Sequence, residues 1–180
     1  MFGKSNKQVG FSFIEIIVVI AIIGVMATIV VPNLLQQAPG YKRKQFFTEL
    51  NSLMAITWEH ALSTNQLHRV VFDFDARTIK IEVETKQDEK GKTTFQDVSG
   101  VYRKTTYTWD KNLEIREFII EGLKENKKID KIWFFVTAQG LGQDVIINIV
   151  DVSEQKEIPL GLVLNPFTVQ FKVYDTFQKP

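Results

Sequence analysis

At 180 residues the chain has room for one modest domain and an anchor, hardly for two independent cores. It contains no cysteine, which excludes disulfides, thiolate metal sites and a cysteine nucleophile. The net charge is +1, from 22 Lys+Arg against 21 Asp+Glu; setting aside Lys4, Lys7 and Glu15, which flank an early apolar block, 20 of each sign remain downstream. A balanced domain of that kind has no general attraction for nucleic acid or anionic lipid, and no nucleic-acid partner is expected.

The early block is the most informative part. Ile16 to Leu35 reads IIVVIAIIGVMATIVVPNLL, without a charge. At about 1.5 Å per helical residue this covers roughly 30 Å, the thickness of a bilayer's hydrocarbon core. Apolar residues fall on every side of such a helix, whereas a soluble amphipathic helix would show a polar face. Lys4 and Lys7 precede the block with no acid among the first ten residues, which places the N-terminus in the cytoplasm by the positive-inside rule. A secretory signal peptide fits poorly: the apolar run is too long, and Gln37-Ala38 before Pro39 is a weak cleavage site. On hydropathy alone a plain signal anchor fits as well.

Glu15 shifts that balance. A carboxylate carried into a bilayer costs roughly 2.5–3.5 kcal/mol or more unless paired, and a plain anchor gains nothing from it. Glu15 could simply mark the water boundary of the span, but Phe11, Phe13 and Ile14 extend the apolar surface upstream of it. The string VGFSFIEIIVVIAIIGVMATIVVPNL resembles the N-terminal signature of type IV pilins and type II secretion pseudopilins: a short basic leader ending in Gly, then Phe, then Glu five places after the cut. Gly10, Phe11 and Glu15 match that pattern, and Gly24 and Pro32 sit where many members have them. Ser12 and Phe13 replace the usual Thr and Leu. The resemblance implies cleavage after Gly10 by a prepilin peptidase and N-methylation of Phe11. It also implies that Glu15 meets the N-terminal amine of a neighbouring subunit inside a core of packed helices, where each charge is tolerable only as a pair.

Downstream, residues 36–40 read as a break, and Tyr41 to Leu62 as an amphipathic helix. Phe46, Leu50, Leu53, Thr57 and Ala61 form its stripe, widened by Phe47, Met54, Trp58 and Leu62. Pro32 lacks an N–H and crowds the preceding turn, so a kink or local unwinding is expected there. After Ser63 the period changes to two. Val70, Phe72 and Phe74 face Ile79, Ile81 and Val83 across a short turn at 75–78. Thr85 to Gly100 is expected to be an exposed loop. Further strands are expected at Tyr102–Trp109, Leu113–Ile120, Lys131–Val136, Asp144–Val152 and Thr168–Tyr174, with a glycine turn at Ala138–Gly142. The expected fold is α+β and pilin-like, a long N-terminal helix on antiparallel sheets. Its parts are a leader (1–10), a membrane and assembly helix (11–35), an amphipathic continuation (36–62) and a β-rich periplasmic domain (63–180).

Sites for chemistry are sparse. His60 and His68 lie near a helix end and a strand start, where solvated or capping roles are expected rather than a metal pair. Asp73 and Asp75 flank a hairpin turn and are weak calcium candidates. Gly140-Leu141-Gly142 lacks the third glycine and the strand–helix context of a phosphate loop. No catalytic set is found, so no enzyme activity, cofactor or metal is expected.

The long helix, the Phe-Asp-Phe hairpin and the strand–turn–strand around Gly140 look most like the H-type minor pseudopilins. That resemblance implies a single-pass inner-membrane protein with a periplasmic domain. It would assemble with other pseudopilins into a short filament of a type II secretion system, on an inner-membrane assembly platform. A minor type IV pilin, including the DNA-uptake kind, is the alternative within the superfamily. A membrane-anchored periplasmic enzyme or binding protein is the alternative from another class.

Overall fold

The computed structural model describes residues 12–36, 40–85, 93–99, 102–120, 130–153 and 156–180, with side chains throughout except at Ile29 and 32–36. The chain divides into two units, Met1–Tyr41 and Lys42–Pro180. The first contains α1 (Phe13–Gln36), whose helical assignment continues through Pro32 to its end. Of the kink or local unwinding expected at Pro32, the unwinding does not occur, and a kink is compatible with a continuous helix. Gly40, at φ 75, takes the left-handed backbone just before the next helix, α2 (Tyr41–Thr64).

The second unit packs α2 against strands of two antiparallel sheets. Its buried residues are Phe46, Leu50, Leu53, Met54, Ile56, Thr57 and Ala61, the predicted 3–4 spacing. Trp58 and Leu62 are not part of that face and stand 39% and 43% exposed. Ile56, unassigned in the sequence pattern, is buried instead. The helix also runs two residues past Leu62 to Thr64, with the Thr64 hydroxyl donating back to the His60 carbonyl at 2.7 Å.

The first sheet contains β1 (His68–Asp73), β2 (Thr78–Thr85), β3 (Thr94–Asp97), β4 (Thr106–Thr108) and β6 (Lys131–Val136). Its order is β3-β2-β1-β6, with β4 also on β2. The second sheet contains β5 (Leu113–Ile120), β7 (Val145–Asp151), β8 (Ile158–Asn165) and β9 (Gln170–Tyr174), in the order β5-β7-β8-β9. The hairpin predicted around Phe72 forms, with Val70 opposite Ile81 and Phe72 opposite Ile79.

Two expectations need correction. Part of the 85–100 segment is a strand, because β3 pairs with the end of β2. The 102–109 strand shrinks to β4. The glycine turn after β6 forms as expected and leads from one sheet to the other, with the bridge Val136–Gly142 across it. Strand β8 was missed outright, since Pro159 and Gly161 read as strand breakers. Gly161 is required for another reason. A Cβ there would lie 2.4 Å from the Thr176 carbonyl, so the C-terminal tail can cross the sheet only over a residue without a side chain.

Two buried or half-buried amides hold chain edges. Asn51 of α2 accepts from Phe171 N (2.8 Å) and donates to Phe171 O (3.1 Å), so a side chain occupies the open edge of β9. Asn148 of β7, fully buried, clamps Gln178 of the tail in the same two-bond manner, at 2.9 and 3.0 Å, and donates to Glu117 at 2.6 Å. At the other end of α2, Arg43 Nε lies 3.1 Å from the buried Asp151 Oδ2. That contact is an ion pair without hydrogen-bond alignment. Asp151 Oδ1 accepts from Ser153 N at 2.9 Å and from its hydroxyl at 2.5 Å.

His60 and His68 are not solvated as expected. His68 is fully buried, and its Nε2 lies 2.6 Å from His60 Nδ1, with the rings edge to face. Its Nδ1 is 2.9 Å from the Gln66 carbonyl, which can only accept. His68 therefore carries its proton on Nδ1, and its Nε2 accepts from His60 Nδ1–H. Burial lowers the His68 pKa below its ordinary 6.5, opposed by the Gln66 carbonyl and reinforced by His60. Protons then bind the unfolded chain first, so this contribution is complete above about pH 6.5 and is lost as pH falls through 6.5 toward the folded-state value. Thermal unfolding of a fragment beginning at Tyr41 should show that decline, and His68→Asn should flatten it. An unchanged slope would remove His68 as its source.

Candidate functional site

The site the sequence points to is the start of α1. Gly10 and Phe11 lie outside the described residues. Ser12 opens the helix, and its carbonyl accepts from Glu15 N (3.0 Å) and Ile16 N (3.2 Å). Glu15 stands in the first turn, where its charge meets the positive end of the helix dipole. Ser12 and Glu15 also have the Ser-x-x-Glu spacing of a capping box. The spacing offers Glu15 a helix-starting use that needs no neighbouring subunit.

Around and beyond Glu15 the helix is an apolar sleeve. Phe13, Ile14, Ile20, Ile23 and Val25 are each 60% exposed or more, and Ile16, Ile17, Val18 and Val19 about half. Exposure on every side of one helix leaves no face reserved for water. Thr28, the polar interruption, turns its hydroxyl back to the Val25 carbonyl at 2.7 Å, so it presents no unpaired donor outward. Among the described residues no helix is long and apolar enough to cross a membrane. The uncharged run of 16–35 includes Ile29 and 32–35, whose side chains lie outside them. Pro32 sits inside α1 without interrupting it.

The other candidates dissolve on inspection. Asp73 is fully engaged: Oδ1 accepts from Ala76 N (2.9 Å) and Oδ2 pairs with Lys131 (2.9 Å). The Ala76 N–H, followed by Lys131, holds its carboxyl below the usual range. Asp75 is exposed. Among the described residues no group of three or more His, Cys, Asp or Glu is placed to hold a metal.

Residues 5–31 match the prokaryotic N-terminal methylation motif, a stretch that includes Gly10, Phe11 and Glu15. The type II secretion system core protein G of Vibrio cholerae is 35% identical over 69 residues, covering 38% of this chain and 44% of that protein. The core protein G of Pectobacterium carotovorum is 36% identical over 66 residues, covering 36% and 42%. The chain thus spans less than half the length of the curated relatives it matches. Two solved structures of the minor pseudopilin EpsH from the V. cholerae type II secretion system superpose with TM-scores of 0.53 and 0.54. They cover 77% and 76% of this chain and 99% and 98% of theirs, at 13% and 14% identity, a likeness of fold. The chain thus carries a prokaryotic N-terminal methylation motif at 5–31 and has a fold like that of EpsH.

Proposed function

We propose that the chain is a minor pseudopilin, a structural and non-catalytic subunit of the periplasmic filament of a type II secretion system. The observation that carries this reading is the pairing of the methylation motif at 5–31 with a downstream fold like that of EpsH. Before assembly the subunit sits in the inner membrane through the 11–35 segment, N-terminus cytoplasmic and globular domain periplasmic. A prepilin peptidase removes residues 1–10 and methylates Phe11. The helices then leave lipid for one another on an inner-membrane assembly platform, and Glu15 pairs with the N-terminal amine of an adjacent pseudopilin. Apolar surface on all sides of α1 supports that exchange, because lipid and neighbouring helices are equivalent surroundings for it. The charge pair adds what apolar packing lacks, a single favoured register, since a misaligned helix would leave both charges unpaired in a low dielectric.

Co-expression with a prepilin peptidase tests the first step. Intact-mass analysis should show loss of residues 1–10 and one added methyl group on Phe11. A mature N-terminus elsewhere, such as after Ala38, would overturn the pilin-like reading.

A further inference from the structure

We propose that the uncharged surface formed by the C-terminal end of α2 and two adjoining turns docks against the globular domain of a neighbouring pilin-like subunit, an assignment resting on the filament reading above. Three segments meet there. Trp58 and Leu62 lie one helical turn apart on α2, outside the core and 39% and 43% exposed. The β6–β7 turn sits on them: a Cβ at Gly140 would lie 2.8 Å from Trp58 Nε1 and 3.1 Å from Leu62 Cδ2. The β8–β9 turn adjoins in its place, because Gly142 N donates to the Pro166 carbonyl at 2.8 Å. Leu141 on the first turn is 44% exposed and Phe167 on the second 75%.

Charge and rigidity both mark this surface. In a chain that is 24% charged, neither 137–143 nor 165–170 carries a charge. Interface centres are depleted of charge and enriched in Trp and Phe. A lipid surface would instead be drawn by Lys or Arg, and both turns lack them. The nearest charge along α2, Glu59, is taken up by Arg103 at 3.0 Å.

Both turns are also held in one shape. Gly140 takes φ 75 and its N–H donates to Thr137 O at 2.9 Å. Asn165 Oδ1 accepts from Phe167 N (2.9 Å) and Thr168 N (3.2 Å), and Val169 N closes the turn on Asn165 O at 2.8 Å. Val169 adopts φ 52, a left-handed conformation unfavourable for a β-branched residue, and its complete burial keeps it there. The Asn165 bonds fix the backbone that carries Phe167, and preorganised side chains lose little entropy on docking.

Four partly exposed side chains fall short of the roughly 1,000 Å² that an independent complex needs. Subunits already gathered through their N-terminal helices meet at millimolar effective concentration, where a weak face suffices.

The chain has no cysteine, so Phe167→Cys gives a unique attachment point for a thiol-linked photocrosslinker in cells assembling the full-length protein. An adduct with another chain bearing a prepilin-type N-terminus is expected. An adduct with lipid or with any other chain, or none, overturns the proposal. Phe167→Glu should lower incorporation at least tenfold with unchanged cleavage and thermal midpoint; should it unfold the domain, Leu141→Asp on the other turn serves the same purpose. Wild-type incorporation of these variants, while Glu15→Ala fails to assemble, would refute the docking face and leave the filament reading standing. Wild-type incorporation of all of them, Glu15→Ala included, would refute both.

Discussion

Glu15→Ala is expected to insert and be cleaved normally and to lose incorporation into filaments by roughly a hundredfold or more. Removing one member of a desolvated ion pair leaves the other charge buried and unpaired, at a cost of about 3–5 kcal/mol. The capping-box spacing of Ser12 and Glu15 offers a purely local account, in which loss of the helix cap costs only about 1 kcal/mol. Glu15→Gln separates the two. Glutamine suits the third helical position of a capping box as well as glutamate does, so a local role predicts full rescue. A pairing role predicts a defect that remains in part, because the amide accepts a hydrogen bond but brings no charge. Crosslinking to partner subunits, with cleavage followed in the same cells, reads both. Wild-type crosslinking of the alanine variant would reduce Glu15 to a boundary residue.

Phe134→Ala should destabilise the globular unit by about 3–5 kcal/mol, the usual range for emptying a fully buried phenylalanine site. The side chain has no solvent exposure, and its ring lies 6.3 Å from Phe72, 6.5 Å from Phe118 and 6.1 Å from Phe171. Those partners come from β1 in one sheet and from β5 and β9 in the other, so a single deletion loosens the contact between the sheets. For a unit of this size the loss corresponds to roughly 10–20 °C in thermal midpoint. The measurement is a melt of a fragment beginning at Tyr41, which should fold because the core lies within Lys42–Pro180. A shift of only a few degrees would mean that the two sheets do not share this core.

The N-terminal site was legible because it is linear. Gly10, Phe11 and Glu15 fall in a motif defined by spacing along one segment, and the apolar sleeve that follows needs only the helical period to be recognised. The strand with unbroken alternation, at 78–85, was equally plain. Strand β8 was not, because its Pro159 and Gly161 break the pattern for reasons outside the strand: the tail crosses at Gly161, which only a missing side chain allows. The short strand β3 failed for the same kind of reason, as its residues gain order from pairing with β2 and not from their own periodicity.

What the sequence determined by itself is therefore the N-terminal methylation motif, the apolar helix α1, the α+β class and the stripe from Phe46 to Ala61. Each follows from local chemistry or from a period that a short stretch of chain displays. Only the tertiary structure decided that the turn after β6 joins two sheets, that His60 and His68 share a hydrogen bond, and that Trp58 and Leu62 lie outside the core against the turn at Gly140. Those outcomes depend on residues far apart in the chain that meet only when two sheets and a helix compete for the same apolar contacts. Helical spacing places Trp58 and Leu62 on one stripe, but which edge of that stripe is covered is settled by the strands that arrive against it.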